Sequence, residues 1–330
     1  MRVVHFQRQP LQLYFSMERV FETVRRHFPA QVNCRVSVAR FPSVGLWRRV
    51  YNMMEAWWRQ DEINHVTGDV HYLAILLRRR RTLLTIHDCV SLHRAKGLSR
   101  LLLWFFWYWL PIRRSGLVSV ISEATKQDVL RQVRCDPAKI RVVGDPVTAG
   151  LEPQPKLGLP PKPVILQLGA WEHKNLERVA QALAGVPCHW RIIGALSAAQ
   201  LDLVQKLGLD YSCAAELSDE QIREEYEKSD LLVFASTFEG FGMPIIEAQA
   251  VGRAVVTSNF GPMDEVAGDG AALVDPLDVA SIRMGILAIL RDDAYRQALI
   301  ERGWANVQRF EAGRIARHYV KLYEELLQPA

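Results

Sequence analysis

The sequence has few cysteines, and they are not arranged as a metal site or a disulfide framework. Its 330 residues contain five cysteines, which are scattered along the chain and never form a C-x-x-C pair. An odd and dispersed set argues for a reducing compartment and against a structural zinc site. We therefore expect a cytoplasmic protein that is stabilised by its hydrophobic cores.

Long apolar runs are also missing. No run reaches the roughly eighteen residues that a membrane-spanning helix needs, and the first ten residues become polar and contain a proline. Such a start does not resemble a signal peptide. We therefore expect neither a spanning segment nor secretion.

Two ligand-binding signatures do not occur in the chain. There is no D-x-D triplet and no G-x-G-x-x-G sequence. The first absence argues against an obligatory divalent metal that bridges a diphosphate, and the second removes the usual dinucleotide fingerprint. We expect no metal and no other cofactor, so protein cations and helix amides are left to neutralise any phosphate.

Charge is distributed unevenly between the two halves. Residues 1–150 contain 24 Lys and Arg against 11 Asp and Glu, whereas residues 151–330 contain 17 against 25. A basic half beside an acidic half suggests that the first half meets an anionic surface or substrate. Ordinary solvated surface is the plainer explanation, but an excess of this size goes beyond it.

Apolar strands alternate with helical patterns through both halves. The alternation runs from "MRVVHF" to "KIRVVG", stops in the Pro- and Gly-rich stretch 144–163, and restarts from "VILQLGA" to "AALVDP". Two successive β/α alternations predict an α/β protein with two Rossmann-like, doubly wound domains that face each other across a cleft. We place the domains at 1–148 and 149–312, and a last helix at 313–330.

One stretch, "LLVFASTFEGFGMPIIEAQAV", places two acids and two glycines where a buried strand meets a helix. Pro244 suits the first helical position, and the amides of 240–242 are expected at the positive helix end, as an anion site. Glu239 is predicted in the turn and Glu247 in the first turn of the helix. Both carboxylates should line one pocket, although an acid near a helix start also stabilises the helix dipole without any ligand.

These residues resemble a known family. Glu239 and Glu247, with seven residues between them in "EGFGMPIIEA", resemble the E-x7-E signature of retaining GT-B glycosyltransferases of the family 4 type. The segments "LGAWEHKNLERV", "ELSDEQIREEYEKSDLLVFAS" and "GPMDEVAGDGAALVDP" follow the family's order. The resemblance covers nearly all of the second half and is weaker in the first.

The resemblance implies a role for each matching residue. Glu239 would hold the transferred sugar, Lys174 the diphosphate and Glu247 the ribose, while His87 would lie near the sugar and the acceptor. The implied donor-binding residues are Glu247, Gly240, Phe241, Gly242, Met243, His173 and Leu217. Domain 149–312 would bind the nucleotide-sugar donor, domain 1–148 would bind a glycan or lipid-linked acceptor, and the last helix would cross back to the first domain.

The chain departs from the family at two points. Relatives often carry an arginine near the lysine, where this chain has Ala170 and His173. Relatives also often have glycines after the first strand, where this chain reads "FQRQPLQLYFS". Each of the two histidines also has a purely structural explanation. His173 would then be an ordinary surface histidine, and His87 would be held by the neighbouring carboxylate of Asp88.

The segment "LSRLLLWFFWYWLPIRRS" has a membrane-interface composition. It combines tryptophans with flanking arginines, which is typical of segments at headgroup depth. The residues assigned to a membrane are Trp104, Trp107, Trp109, Arg113 and Arg114. A helix buried against the sheet is the alternative.

The sequence thus predicts a retaining, metal-independent glycosyltransferase on the inner face of the cytoplasmic membrane. The resemblance points to bacterial surface polysaccharide synthesis, with GDP-mannose as the suggested donor. Two alternatives stay open: a GT-B sugar-nucleotide epimerase and a non-catalytic protein that binds anionic surfaces. Nucleic acid is not an expected partner, because the basic residues are interleaved with buried strands and no recognition module is visible.

Overall fold

The structure, a computed structural model that describes residues 1–9 and 16–328, divides the chain into two units. Unit 1 consists of Met1–Pro146 and Glu311–Ala330, and unit 2 consists of Val147–Phe310. These divisions lie two residues before the predicted boundaries at 148 and 312. Each unit is built around a parallel sheet of six strands, as the alternation of strands and helices predicted.

The sheet of unit 1 has the strand order β2-β1-β3-β4-β5-β6. The strands are β1 (Arg2–Gln7), β2 (Asn33–Val38), β3 (Ile63–Val66), β4 (Thr82–Ile86), β5 (Leu117–Val120) and β6 (Ile140–Val142). Every residue of β3, β4 and β5 is buried, because helices cover both faces of the sheet. The order reverses between β1 and β3, and these two strands pair in parallel.

The sequence analysis assigned no helix to residues 46–58 or 90–94, and the structure has a helix in each of these ranges. The helices of unit 1 that precede unit 2 are α1 (Ser16–Arg26), α2 (Leu46–Trp58), α3 (Val90–Arg94), α4 (Gly97–Leu103), α5 (Leu110–Arg114) and α6 (Glu123–Gln132). A π-helical run, Trp104–Trp109, joins α4 to α5. Shorter 3₁₀ turns occupy His71–Ile75, Arg79–Arg81 and Pro137–Lys139.

The C-terminal helix, α14 (Ala312–Leu327), belongs to unit 1. Its buried face, which includes Tyr319 and Tyr323, packs in one hydrophobic cluster with Val3, Phe21 and Ile63. The hydroxyl of Tyr323 is hydrogen-bonded to two buried histidines, His5 at 2.9 Å and His65 at 2.8 Å. The last helix is therefore attached to the sheet of unit 1 by apolar packing and by a buried polar network.

The sheet of unit 2 has the order β12-β11-β10-β7-β8-β9. The strands are β7 (Val164–Leu168), β8 (His189–Ile193), β9 (Tyr211–Ala214), β10 (Leu231–Phe234), β11 (Ala254–Ser258) and β12 (Ala272–Val274). The helices are α7 (Leu176–Leu183), α8 (Ala198–Lys206), α9 (Asp219–Lys228), α10 (Met243–Val251), α11 (Met263–Ala267), α12 (Val279–Arg291) and α13 (Asp293–Val307). Two 3₁₀ turns lie at Glu172–Lys174 and Gln308–Phe310.

The chain runs outward from β7 to β9, then returns to the middle of the sheet and continues from β10 to β12. Strands β7 and β10 are therefore neighbours at the point where the order reverses. In open α/β sheets, ligands bind beyond the carboxyl ends of the strands at such a switch point. The loops that follow β7 and β10 are accordingly the first place to look for a site.

Candidate functional site

The loops after β7 and β10 bring Lys174 and Glu239 together. Nζ of Lys174 lies 2.6 Å from Oε1 of Glu239, and both side chains are mostly buried. The ammonium group also lies 4.5 Å from the centroid of the Phe234 ring. A lysine has three donors, so one bond to Glu239 leaves two for an anion. The sequence assigned separate roles to these two residues and did not predict their ion pair.

Gly169 makes room for the side chain of Lys174. It directly follows β7 and has a φ of +91°, and a Cβ atom there would come within 2.9 Å of the lysine side chain. A larger residue would be strained in this conformation and would displace the lysine. The glycine therefore fixes where the ammonium group lies.

Asn175 ties the lysine-bearing loop to its neighbours. It is buried in a left-handed conformation, and its Nδ2 donates to the carbonyls of Ala235 and Pro276 at 2.9 and 2.6 Å. The amide of Thr237 donates to the carbonyl of His173 at 2.8 Å. These bonds connect the loops after β7, β10 and β12, so the pair of Lys174 and Glu239 rests on a rigid support.

Glu247 has different partners from Glu239. Its Oε1 accepts a bond from the hydroxyl of Thr148 at 2.5 Å, and its Oε2 accepts one from the hydroxyl of Tyr226 at 2.6 Å. Burial raises the pKa of Glu247, and the two hydrogen bonds oppose that rise. A carboxylate offers about four acceptor positions, so roughly two remain for hydroxyl groups of a ligand.

Helix α10 begins one residue earlier than predicted, and two expectations change with it. The helix starts at Met243, so Pro244 is its second residue and Glu247 lies beyond its first turn. The N-cap is Gly242, in a left-handed conformation. Because glycine has no side chain, it cannot form a capping hydrogen bond to the first turn. Dipole compensation in the first turn is therefore a weaker explanation for Glu247 than the sequence suggested.

The turn before α10 presents backbone rather than side chains. Phe241 is buried and packs edge-to-face against Phe310, with 5.6 Å between ring centroids. A Cβ atom on Gly242 would come within 3.0 Å of Ile245. A ligand at this helix end would therefore meet main-chain groups of 240–243 at the positive end of the helix dipole.

The other predicted donor residues lie in the same unit. His173 and Lys174 are part of the 3₁₀ turn after β7, and the side chain of His173 is partly buried. Leu217 is half-buried and immediately precedes Ser218, which caps α9 through the amide of Gln221. Helix α9 also carries Tyr226, so Leu217 lies at the start of the helix that contacts Glu247.

His87 follows β4 in unit 1. Its Nε2 lies 3.3 Å from the carbonyl oxygen of Thr67, and its ring meets that of Phe21 edge-to-face. Asp88 instead accepts a bond from the amide of Val90 at 2.9 Å. The His87 ring thus bonds to a backbone carbonyl, which differs from the contact with the Asp88 carboxylate that the sequence alternative assumed.

The three tryptophans assigned to a membrane are half-buried. Trp104, Trp107 and Trp109 all pack against the hydrophobic cluster of unit 1. The indole N–H of Trp104 donates to the backbone carbonyl of Gln132, and that of Trp107 donates to the backbone carbonyl of Asp69, each at 2.9 Å. Arg113 and Arg114 are exposed. The tryptophans therefore contribute to the core, and the exposed apolar side chains of the segment are Leu98, Leu101, Leu102 and Phe106.

The described residues contain neither a cluster of metal ligands nor a membrane-spanning helix. Within 1–9 and 16–328, no three His, Cys, Asp or Glu side chains converge in a way that could hold a metal ion. In the same part of the chain, no helix is both long enough and apolar enough to cross a bilayer.

Sequence comparison places the chain in a known family. The profile named Glycosyl transferases group 1 matches residues 152–305, and the profile named Glycosyltransferase Family 4 matches residues 14–149. The first segment lies within unit 2, and the second covers most of the N-terminal part of unit 1 and the first three residues of unit 2. The chain belongs to the family 4 glycosyltransferases with the GT-B fold of two Rossmann-like domains.

Individual relatives are similar over part of their length. The O-antigen chain mannosyltransferase B of Escherichia coli is 36% identical over 108 residues, which are 33% of this chain and 28% of that protein. The O-antigen chain mannosyltransferase RfbU of Salmonella typhimurium is 26% identical over 224 residues, 66% of this chain and 62% of that protein. The chain therefore matches less than two thirds of either relative.

The fold matches solved structures over nearly the whole chain. The Anabaena protein HepE, solved in complex with UDP, has a TM-score of 0.78 with 15% identity, and the match covers 98% of this chain and 100% of that one. At this level of identity the likeness establishes the fold alone.

Proposed function

We propose that this protein is a retaining glycosyltransferase that takes a sugar from a nucleotide diphosphate donor without a metal ion. The observation that carries the proposal is the pair of Lys174 and Glu239 at the switch point of unit 2, beside the glycine-capped start of α10. A fixed cation and a positive helix end stabilise negative charge that develops on a departing diphosphate. This arrangement lets the protein do what a bridging metal does in other enzymes.

The proposed roles follow from the contacts of each residue. Lys174 and the amides of 240–242 neutralise the leaving diphosphate, which then accepts the proton of the incoming hydroxyl. Glu239, positioned by Lys174, orients the departing sugar through its hydroxyls. Glu247, already bonded to Thr148 and Tyr226, binds the ribose with its remaining acceptor positions. The reaction forms the glycosidic bond on the face that the phosphate leaves and needs no covalent enzyme intermediate.

We further propose mannose as the sugar and GDP-mannose as the donor, with transfer to a glycan or lipid-linked acceptor bound by unit 1. The names of the two relatives, both O-antigen chain mannosyltransferases, support the sugar and its use in bacterial surface polysaccharide. The protein is proposed to work at the inner face of the cytoplasmic membrane, for which the basic charge of the first half is the support.

The test is a thermal-shift screen of GDP-, UDP-, ADP- and dTDP-sugars, followed by product analysis. A donor at about 100 times its Kd stabilises the folded state by about 2.7 kcal/mol, so the correct nucleotide should stand out. We expect GDP-mannose to give the largest shift and NMR of the product to show a retained anomeric configuration. An inverted product, or no shift with any donor, would overturn the proposal. Donor turnover without an acceptor would identify an epimerase.

A further inference from the structure

Unit 1 contains an apolar pocket between α2 and the segment that runs from α4 into the π-helical run. Its volume is about 460 Å³, which lies within the range of roughly 300–1,000 Å³ for ligand sites. The apolar side chains that line it include Leu46, Met53, Leu102, Leu103, Phe106 and Trp107. π-Helical turns are rare and frequently occur at functional sites, and this one supplies Phe106 and Trp107.

The two helices that border the pocket expose several large apolar side chains. On α2, Trp47 and Trp58 are each 82% exposed, and Tyr51, Met54 and Trp57 are exposed as well. Leu98 and Leu101 extend the exposed apolar surface on α4. Large contiguous apolar patches are uncommon on soluble proteins and mark sites of interaction. We call this surface, with the pocket inside it, the α2–α4 patch.

A cation lies in the wall of the pocket. The guanidinium of Arg49 stacks over the ring of Trp107 at 4.6 Å, and its Nη2 donates to the carbonyl of Ser43 at 3.0 Å. Its Nε is buried without a hydrogen-bond partner. None of the described residues that line the pocket is acidic. A buried donor without a partner costs free energy, and an anion beside it would recover that cost.

An apolar cavity with one cation in its wall is complementary to an apolar chain that carries an anionic head. Helices α2 and α4 combine exposed tryptophans and leucines with the exposed Arg48 and Arg100, a composition that is typical of surfaces at headgroup depth. A pocket for a water-soluble ligand does not need exposed apolar side chains on the helices beside it. We propose that the α2–α4 patch docks on an anionic bilayer and that its pocket takes one acyl chain of a phospholipid whose phosphate pairs with Arg49.

This inference deepens the membrane part of the proposed function, but it does not require the transfer reaction. Lipid binding is measured without any sugar donor, so the two can fail separately. The surface also differs from the one that the sequence suggested, because Trp104 and Trp109 do not line the pocket and no residue of α2 was assigned to a membrane.

The test compares three single variants for cosedimentation with phosphatidylcholine vesicles that contain phosphatidylglycerol. Ser99→Phe fills the pocket from an exposed position on its rim. Arg49→Gln removes the cation in the wall, and Arg48→Gln is its matched control, since the neighbouring arginine is exposed and does not line the pocket. Circular dichroism and melting temperature verify that each variant is folded.

We expect Arg48→Gln to weaken binding roughly fivefold, the effect of one basic residue near an anionic surface. Arg49→Gln should weaken it by more than about tenfold, because a charge-assisted bond is lost as well. Ser99→Phe should weaken it without any change of charge. Decyl phosphate should bind the wild type in calorimetry, whereas decanol and inorganic phosphate alone should not.

Three outcomes would overturn the inference. Equal losses for the two arginine variants would mean that only diffuse charge attraction acts. Unchanged binding of a folded Ser99→Phe variant would mean that no chain enters the pocket. Binding of a polyprenyl phosphate in neutral vesicles, without binding of phosphatidylglycerol, would assign the pocket to a lipid-linked acceptor instead of a bilayer lipid.

Discussion

The two units share one architecture but use it differently. Each has a six-stranded parallel sheet whose strand order reverses once. In unit 2, polar side chains converge at the reversal, where Lys174 meets Glu239. In unit 1, helices α2 and α4 expose large aromatic and aliphatic side chains.

This difference shows that a Rossmann-like sheet does not determine the chemistry of its own surface. The strand ends of unit 2 carry short loops with a glycine, a lysine and an asparagine, which suit a small anionic ligand. The helices of unit 1 carry tryptophans and arginines, which suit a wide anionic surface. The opposite net charges of the two halves follow the same division.

The most severe test of the contrast removes the cation of unit 2. Lys174→Ala should lower kcat/KM for the donor by two to three orders of magnitude, about 3–4 kcal/mol, because a preorganised charge donor is lost. Initial rates with a fixed acceptor measure this. Lys228→Ala is the matched control, since that lysine is exposed and pairs with Glu224 on the surface of the same unit.

Loss of Lys174 also leaves Glu239 without its partner, so stability must be separated from catalysis. The double variant Lys174→Ala with Glu239→Gln removes the uncompensated charge and should restore the melting temperature but not the rate. Activity of the single variant within about twofold of the wild type would contradict the role of Lys174.

The second test separates the two acids of unit 2. Glu247→Gln should weaken donor binding roughly 10- to 100-fold, since hydrogen bonds to a charged acceptor contribute about 1.5–3 kcal/mol. Tyr226→Phe should have a smaller effect in the same direction, because only one bond that orients Glu247 is lost. Glu239→Gln should mainly lower kcat. Donor titration calorimetry measures the affinity, and initial rates measured in parallel give kcat. An unchanged donor affinity of Glu247→Gln would refute the assignment of Glu247 to donor binding.

The fold was largely predictable from the sequence. Strands such as β4 and β10 are short, mainly apolar runs, which parallel sheets bury on both faces, and their order along the chain predicts two doubly wound sheets. Ser122 is the N-cap of α6, and its side chain accepts a bond from the amide of Thr125. Local pattern and capping chemistry are visible in sequence because they depend on neighbouring residues.

The contacts of the site were less predictable. Thr148 and Tyr226 lie 99 and 21 residues from Glu247, and no local pattern relates them to it. The sequence assigned a membrane contact to Trp104, Trp107 and Trp109, but it did not predict that they also pack against the core, because composition does not reveal which face of a helix is buried. Helix α2 is recognisable in the sequence from the helical spacing of its apolar residues.

A third test compares the acid stability of the two units. Burial lowers the pKa of His5 and of His65 well below the ordinary value, and the pKa of His71 falls to about 4 for the same reason. Below about pH 6.5 the unfolded chain therefore binds protons that folded unit 1 does not, and stability is lost as pH falls. Each histidine contributes at most about 1.4 kcal/mol per pH unit.

The measurement is hydrogen exchange by mass spectrometry at pH 7.5 and 5.5, corrected for intrinsic rates. Peptides of β1 and β3 should lose protection relative to peptides of β7 and β8. The buried Asp145 acts in the opposite sense, because its raised pKa favours the protonated folded state in acid, and this reduces the net loss. Equal losses of protection in both units would contradict the assignment of acid sensitivity to unit 1.

The smallest expected effect is that of a chelator, which should leave the transfer rate unchanged. The cation that unit 2 offers to a diphosphate is Lys174, held by Glu239 and by the position of Gly169, and α10 adds the positive end of its dipole. The carboxylate of Glu239 is already paired with this cation, and that of Glu247 is bonded to two hydroxyls. Neither is arranged to compete for magnesium. Rates after EDTA treatment, with and without added magnesium or manganese, measure this; inhibition that either metal reverses would show that Lys174 does not replace the metal.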